Sequence, residues 1–172
     1  MTKTLTIAMG AVVLALLAAP AALAQAGQEP LESRLAARKV VVANGRESFV
    51  EAGTAKPGDV IEYVATYRNT GKDTITGLQA TMPIPPQTEF IPGTAAPARA
   101  RASLDGRDFA DIPLKRTSMR DGRQVEENVP YRDYRYLRWF AADLGGGKML
   151  AFKARVRVID DRPSGVQGDG TR

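Results

Sequence analysis

The sequence predicts an all-β sandwich, and three observations support that prediction. From Arg38 onward the apolar residues recur with period two rather than 3.6. Turn signals built on Gly, Pro, Asn and Asp interrupt the chain roughly every 8 to 12 residues. No stretch of that region carries a convincing helical stripe, which leaves many short strands and a sandwich.

The chain has 172 residues, the size of one domain. Its first residues read as a leader. Lys3 supplies a thin positive region, Ile7 to Ala19 is apolar and Pro20 breaks the run. Ala22-Leu23-Ala24 then fits the small-x-small pattern before a cleavage site, with Gln25 as the new N-terminus. Residues 1–24 are therefore expected to be a secretory signal peptide, and the protein periplasmic or secreted. The apolar run is well short of the roughly 20 residues that span a bilayer. No second such run follows, so no membrane span is expected after cleavage. The chain contains no cysteine. Disulfides and a lipidated cysteine are excluded, and stability rests on the core.

Residues 25–37 are polar, with a short helix candidate at Leu31 to Ala37, and are expected to be loosely ordered. The sandwich is expected over residues 38–159. Residues 160–172, polar and rich in Gly and Asp, read as a flexible tail.

Within the sandwich, Lys39 to Ala43 is a short β-rich run. Asn44-Gly45, a strong hairpin signal, returns it along Glu47 to Glu51. Pro57-Gly58-Asp59 makes a turn, since Pro presets φ and Gly accepts positive φ. The following strand has Ile61, Tyr63, Ala65 and Tyr67 on its apolar face. Val60, Glu62, Val64, Thr66 and Arg68 are expected to face water. Asn69-Thr70-Gly71-Lys72 turns again. Leu78, Ala80, Met82 and Ile84 mark a half-buried strand, ended by Pro83, Pro85 and Pro86.

Thr88 to Ile91 is a short strand closed by Pro92-Gly93. Ala98 to Leu104 alternates Ala with Arg99, Arg101 and Ser103. Asp105-Gly106 and Asp121-Gly122 offer further turns, with Phe109 and Ile112 on the return from the first and a polar stretch, Lys115 to Asn128, around the second. Tyr134 to Phe140 places Leu137 and Trp139 on one face. After Leu144-Gly145-Gly146-Gly147-Lys148, the run Met149 to Ile159 turns Leu150, Phe152, Ala154, Val156 and Val158 inward and Lys153, Arg155 and Arg157 outward. If that strand lies at a sheet edge, the outward cations guard it against edge pairing; the alternative is an anion-facing patch.

Several of these blocks, in order, resemble a bacterial extracellular family. They are AKPGDVIEY at Ala55 to Tyr63, YRNTG at Tyr67 to Gly71, LQATMPIPP at Leu78 to Pro86, TEFIPG at Thr88 to Gly93, Leu137-Arg138-Trp139, and the strand after Leu144. The family is the conserved repeat called domain of unknown function eleven, and the resemblance covers Lys39 to Ile159. It implies an immunoglobulin-like antiparallel β-sandwich of about seven to nine strands. Family members often stand in tandem on wall-anchored proteins, whereas here the domain occurs once, with a longer polar insert from Lys115 to Arg132. No catalytic residues come with the resemblance.

The chemistry of the chain is restricted. It has no histidine and no cysteine, which excludes Ser-His-Asp and Cys-His machinery and His or Cys metal sites. Asp105, Asp108, Asp111 and Asp121 sit in turns, where Asp bonds its own backbone. They are also oxygen donors suited to Ca²⁺, but Asp105-x-x-Asp108-x-x-Asp111 lacks the spacing of an EF-hand. No catalytic residue, metal site or cofactor is expected. The net charge of +5, with both signs interspersed, fits a solvated surface rather than a nucleic-acid binder, while leaving room for an anionic polymer.

The strongest binding candidate is Tyr131 to Trp139, where four rings and three arginines share nine positions. Strand parity places Tyr134, Tyr136 and Arg138 outside, and such residues dominate binding hot spots. Tyr is equally a good strand former and cross-strand partner. Three functions follow as expectations. The first is a non-enzymatic, envelope-associated structural or interaction module whose partner is an envelope protein or polysaccharide. The second is a self-associating, polymer-forming subunit that donates Gln25 to Ala43 to a neighbour's sheet. The third is a glycan or anionic-polymer binder using the Tyr131–Trp139 face.

Overall fold

Asn44 and Gly45 reverse the chain with φ of 52° and 72°. These are the two left-handed conformers of a type I′ turn, whose twist matches paired strands. In the computed structural model, which describes residues 30–141 and 143–160, this turn joins β1 (Leu31–Ala43) to β2 (Arg46–Glu51). The expected signal peptide, the first residues of the N-terminal segment and the tail from residue 161 lie outside the described residues.

The next strands are β3 (Val60–Asn69), β4 (Ile75–Thr76), β5 (Gln79–Pro83), β6 (Thr88–Phe90), β7 (Arg101–Ser103) and β8 (Ala110–Asp111). There follow β9 (Lys115–Arg120), β10 (Arg123–Asn128), a single 3₁₀ turn at Tyr131–Asp133, β11 (Tyr136–Phe140), β12 (Asp143–Leu144) and β13 (Met149–Val158). The two main sheets are antiparallel throughout. One runs β2-β1-β3-β13-β6 and the other β5-β11-β7-β8. The pairs β9–β10 and β4–β12 form small ribbons beside them. The all-β sandwich expected from the sequence is the observed architecture.

Between the sheets lies one core. Ile61, Ala65, Phe90, Phe152, Ala154 and Val156 come from the larger sheet; Ala80, Met82, Ala102, Leu137 and Trp139 come from the smaller. Period-two alternation puts these residues there, because every second side chain on a strand points to the same face. Tyr63 and Tyr67 pack against this core from its margin. Leu78 and Ile84 are also buried, as their alternation predicts.

Three expectations are corrected. Leu31 to Ala37 is neither helical nor loosely held. It is the first half of β1, registered against β3 from Leu31↔Asn69 to Val40↔Val60. Leu31, Ser33, Leu35 and Ala37 form a period-two face that the short helical stripe disguised. Second, the cationic strand β13 is not an edge, because β3 and β6 pair with it on both sides. Edge protection therefore does not explain Lys153, Arg155 and Arg157.

Third, Glu62 is not in water; it is only 5% exposed. Its carboxylate accepts from Arg38 Nε at 2.9 Å and Nη2 at 2.5 Å, and from Arg155 Nε at 3.1 Å. Arg38, Glu62 and Arg155 stand directly opposite one another on β1, β3 and β13. Arg155 also clasps Glu47 of β2 through two bonds of 2.8 Å. Since β1 and β3 separate β2 from β13 in the sheet, that reach means the β1–β2 hairpin curls back over this face. The guanidinium of Arg38 stacks on Phe49 at 3.7 Å, closing the cluster.

At the far end of β3, Asn69 is fully buried. Its amide donates to the carbonyls of Asp73 and Leu144, and its oxygen accepts from Gly71 N–H. The side chain thus ties the β3 turn to β12. Asn69→Ala removes all three bonds and strands buried carbonyls. It is expected to destabilise the protein by about 2–3 kcal/mol, read as a lower urea midpoint with an unchanged slope.

Candidate functional site

The Tyr131–Trp139 segment does not act as one face. Pro130 is followed by the 3₁₀ turn, and the strand begins only at Tyr136. Parity therefore fails for Tyr134, which sits at the turn's C-terminal end and is 0% exposed. Its hydroxyl accepts the buried Leu114 N–H at 2.6 Å. Its ring stacks beside Phe90 and meets Tyr131 edge-on. Burial pushes the phenol's pKa up. Tyr134 belongs to the core and is withdrawn as a binding residue.

From β11 onward the expected alternation holds. Leu137 and Trp139 point inward, and the Trp139 indole N–H donates to the Pro97 carbonyl at 2.8 Å. Tyr136 and Arg138 point outward and are partly exposed. Arg138 lies 3.6 Å over the Phe109 ring and donates to Thr81 Oγ1 at 3.0 Å. A planar guanidinium held between a ring and a hydroxyl keeps one orientation, and its remaining N–H donors stay free to meet an acceptor.

Tyr136 lies flat against the turn after β7, where Gly106 has φ of 81° and a Cβ would meet the Tyr136 ring at 3.0 Å. The turn is held from within. Ser103 Oγ accepts from Asp105 N–H and Gly106 N–H. Asp105 Oδ1 accepts from Arg107 N–H, Asp108 N–H and Ser103 Oγ. These bonds hold the Asp105 carboxyl below its usual range. Asp105 is therefore a turn residue, and Asp111 pairs with Arg101. Among the described residues, no three acidic side chains gather to hold a metal ion.

Beside Tyr136 runs an open groove of about 370 Å³. Pro83, Ile84, Pro85 and Pro86 form one wall; Leu104, Asp105, Arg135 and Tyr136 form the other. It offers flat C–H and ring surfaces with a cation and an anion at the rim, a combination that fits an extended polymer or a sugar ring. By sequence the prolines mark only the end of a strand. Their part in this wall is a tertiary effect that period and spacing do not encode. Phe109 was likewise read only as a residue on the return strand, with nothing in the sequence to place it under Arg138.

Among the described residues, no helix is long and apolar enough to cross a membrane. No family model matches the chain, and neither a curated protein nor a solved structure does.

Proposed function

We propose that the protein is an exported, non-enzymatic β-sandwich module of the cell envelope that works by binding rather than by turnover. The observation that carries this reading is the state of those carboxylates that the fold engages. Glu47 and Glu62 are clasped by arginines, Asp59 by Lys39, Asp111 by Arg101, Glu126 by Lys115 and Glu127 by Arg116. Asp105 is engaged by its own turn. A general acid or base needs a carboxyl poised near neutral pH, whereas Glu47, Asp59, Glu62 and Asp105 are all shifted downward. The leader-like residues 1–24 and the resemblance to the domain of unknown function eleven add export and an envelope setting.

Expressed with its own leader in a bacterial host, the protein is expected outside the cytoplasm with Gln25 as its first residue. Recovery from the cytoplasm with the leader intact contradicts the export part. Steady hydrolysis of esters, peptides or glycosides by the pure protein contradicts the rest.

The groove beside Tyr136 favours a second reading, a contact for a glycan or anionic polymer. On an array of bacterial envelope glycans, Tyr136→Ala and Arg138→Ala should each lower binding about tenfold, the loss expected for a hot-spot side chain, with an unchanged melting temperature. Binding that survives both substitutions, or no binding by the parent, rejects this site.

A further inference from the structure

We infer that two copies of the chain associate through the first half of β1, across a two-fold axis at Ser33. This goes beyond the function proposed above and does not depend on it. β2 covers β1 only from Arg38 to Ala43, whereas β3 pairs with β1 from Leu31. Among the described residues nothing pairs with the main chain from Leu31 to Ala37 on the β2 side, which leaves it an open sheet edge. The edge also carries exposed apolar side chains. Leu35 is 48% exposed on the face that turns toward the core, and Val50 of β2 is exposed on that same face.

The chemistry of the strand names the occupant. Leu31-Glu32-Ser33-Arg34-Leu35 is complementary to its own reverse: apolar meets apolar, acid meets base and hydroxyl meets hydroxyl. A two-fold axis makes two edge strands antiparallel, with each residue i facing j and each j facing i. Centred on Ser33, that pairing sets Leu31 opposite Leu35 twice and Glu32 opposite Arg34 twice. Shifted by one residue to centre on Arg34, it would set Arg34 against Arg34, a like-charge pair that destabilises a ladder.

In the chain itself, Glu32 and Arg34 stand opposite Arg68 and Thr66, yet among the described residues neither forms an ion pair. They are available to the partner. Pro30, which has no N–H, bounds the ladder at one end. The end of β2, opposite Arg38, bounds it at the other, so the open edge is long enough to hold the five pairs. A strand donated to a neighbour, expected from the sequence as a route to polymers, is a different arrangement. Here β1 stays in its own sheet and the interface closes after two copies.

Five residue pairs bury less than a standard interface, so dissociation in the range of about 10–100 µM is expected. Sedimentation equilibrium of the purified protein tests the inference. The parent should pass from monomer to dimer across that range and stop there. Glu32→Arg and Arg34→Glu each turn two attractive pairs repulsive and should weaken the dimer roughly thirtyfold. The double variant Glu32→Arg/Arg34→Glu restores both pairs and should recover the parent's affinity, a rescue that misfolding cannot imitate. A parent that stays monomeric to about 1 mM, as when another segment of the chain covers the edge, overturns the inference. So do larger polymers, or a dimer indifferent to the charge exchanges.

Discussion

Tyr134→Ala is expected to cost about 3–5 kcal/mol, the range for deleting a large aromatic side chain from a packed core, and in a domain of this size to unfold a sizeable share of the molecules. The side chain is wholly buried, beside Phe90, Tyr131 and the Leu114 N–H just before β9. Tyr134→Phe keeps the ring and removes only the hydroxyl. It leaves the buried Leu114 N–H without an acceptor and should cost about 1–3 kcal/mol. Two residues along, Tyr136→Ala should change stability by less than about 1 kcal/mol, since its ring lies on the surface over a turn. Urea melts of the three variants check the ordering. Similar midpoints for Tyr134→Ala and Tyr136→Ala would place Tyr134 at the surface, as strand parity alone had it.

Glu62→Ala is the second large effect. It leaves Arg38 and Arg155 facing each other across β3 with their shared anion gone. Breaking a fully buried ion pair from one side costs about 3–5 kcal/mol. Both arginines here keep some contact with water, so about 2 kcal/mol is expected after allowing for that screening. Burial alone would raise the Glu62 pKa, but the bonds and charges of Arg38 and Arg155 outweigh it and hold the carboxyl below its ordinary value of 4.5.

A carboxyl with a depressed pKa in the folded state adds stability that is fully present above its unfolded value. That stability is lost as the pH falls through the folded one. Glu47, held low by its bonds to Arg155, acts in the same sense. Acid below about pH 4.5 should therefore loosen the grip on the β1–β2 hairpin, and Glu62→Gln should flatten the acid limb of the stability profile. An acid limb identical in Glu62→Gln and the parent would show that the carboxyl is not ionised and paired as described.

The strands with a clean apolar alternation were legible in the sequence. Leu78 to Ile84 and Met149 to Val158 lie where their pattern put them. Asn44-Gly45 and Asp121-Gly122 turn hairpins with the positive φ values their chemistry favours. Three other features were not legible, each for a physical reason. Leu31 to Ala37 has apolar residues at spacings that suit a helix as well as a strand, and only pairing with β3 decides between them. Glu62 reads as a solvent residue because period counts polarity and cannot see that Arg38 and Arg155 arrive from distant strands to shield it.

Tyr134 breaks parity because the Tyr131–Asp133 turn shifts the start of the strand, and no residue there announces the shift. Of the candidates Tyr134, Tyr136 and Arg138, only Tyr136 and Arg138 therefore present a side chain at the surface. Their neighbours in space, Phe109 and the Pro83–Pro86 wall, come from distant parts of the chain.

Most of the charged and aromatic groups of this chain serve its architecture, and the open edge of β1 is the surface proposed for association. Amide hydrogen exchange along Leu31 to Ala37, followed at a concentration well above and one well below dimerisation, tests it most directly. Amides that point to β3 should be protected at both concentrations, and the alternate ones, which point outward, only at the higher. Outward amides that exchange freely at both concentrations would contradict the account, as would a segment with no alternation at either.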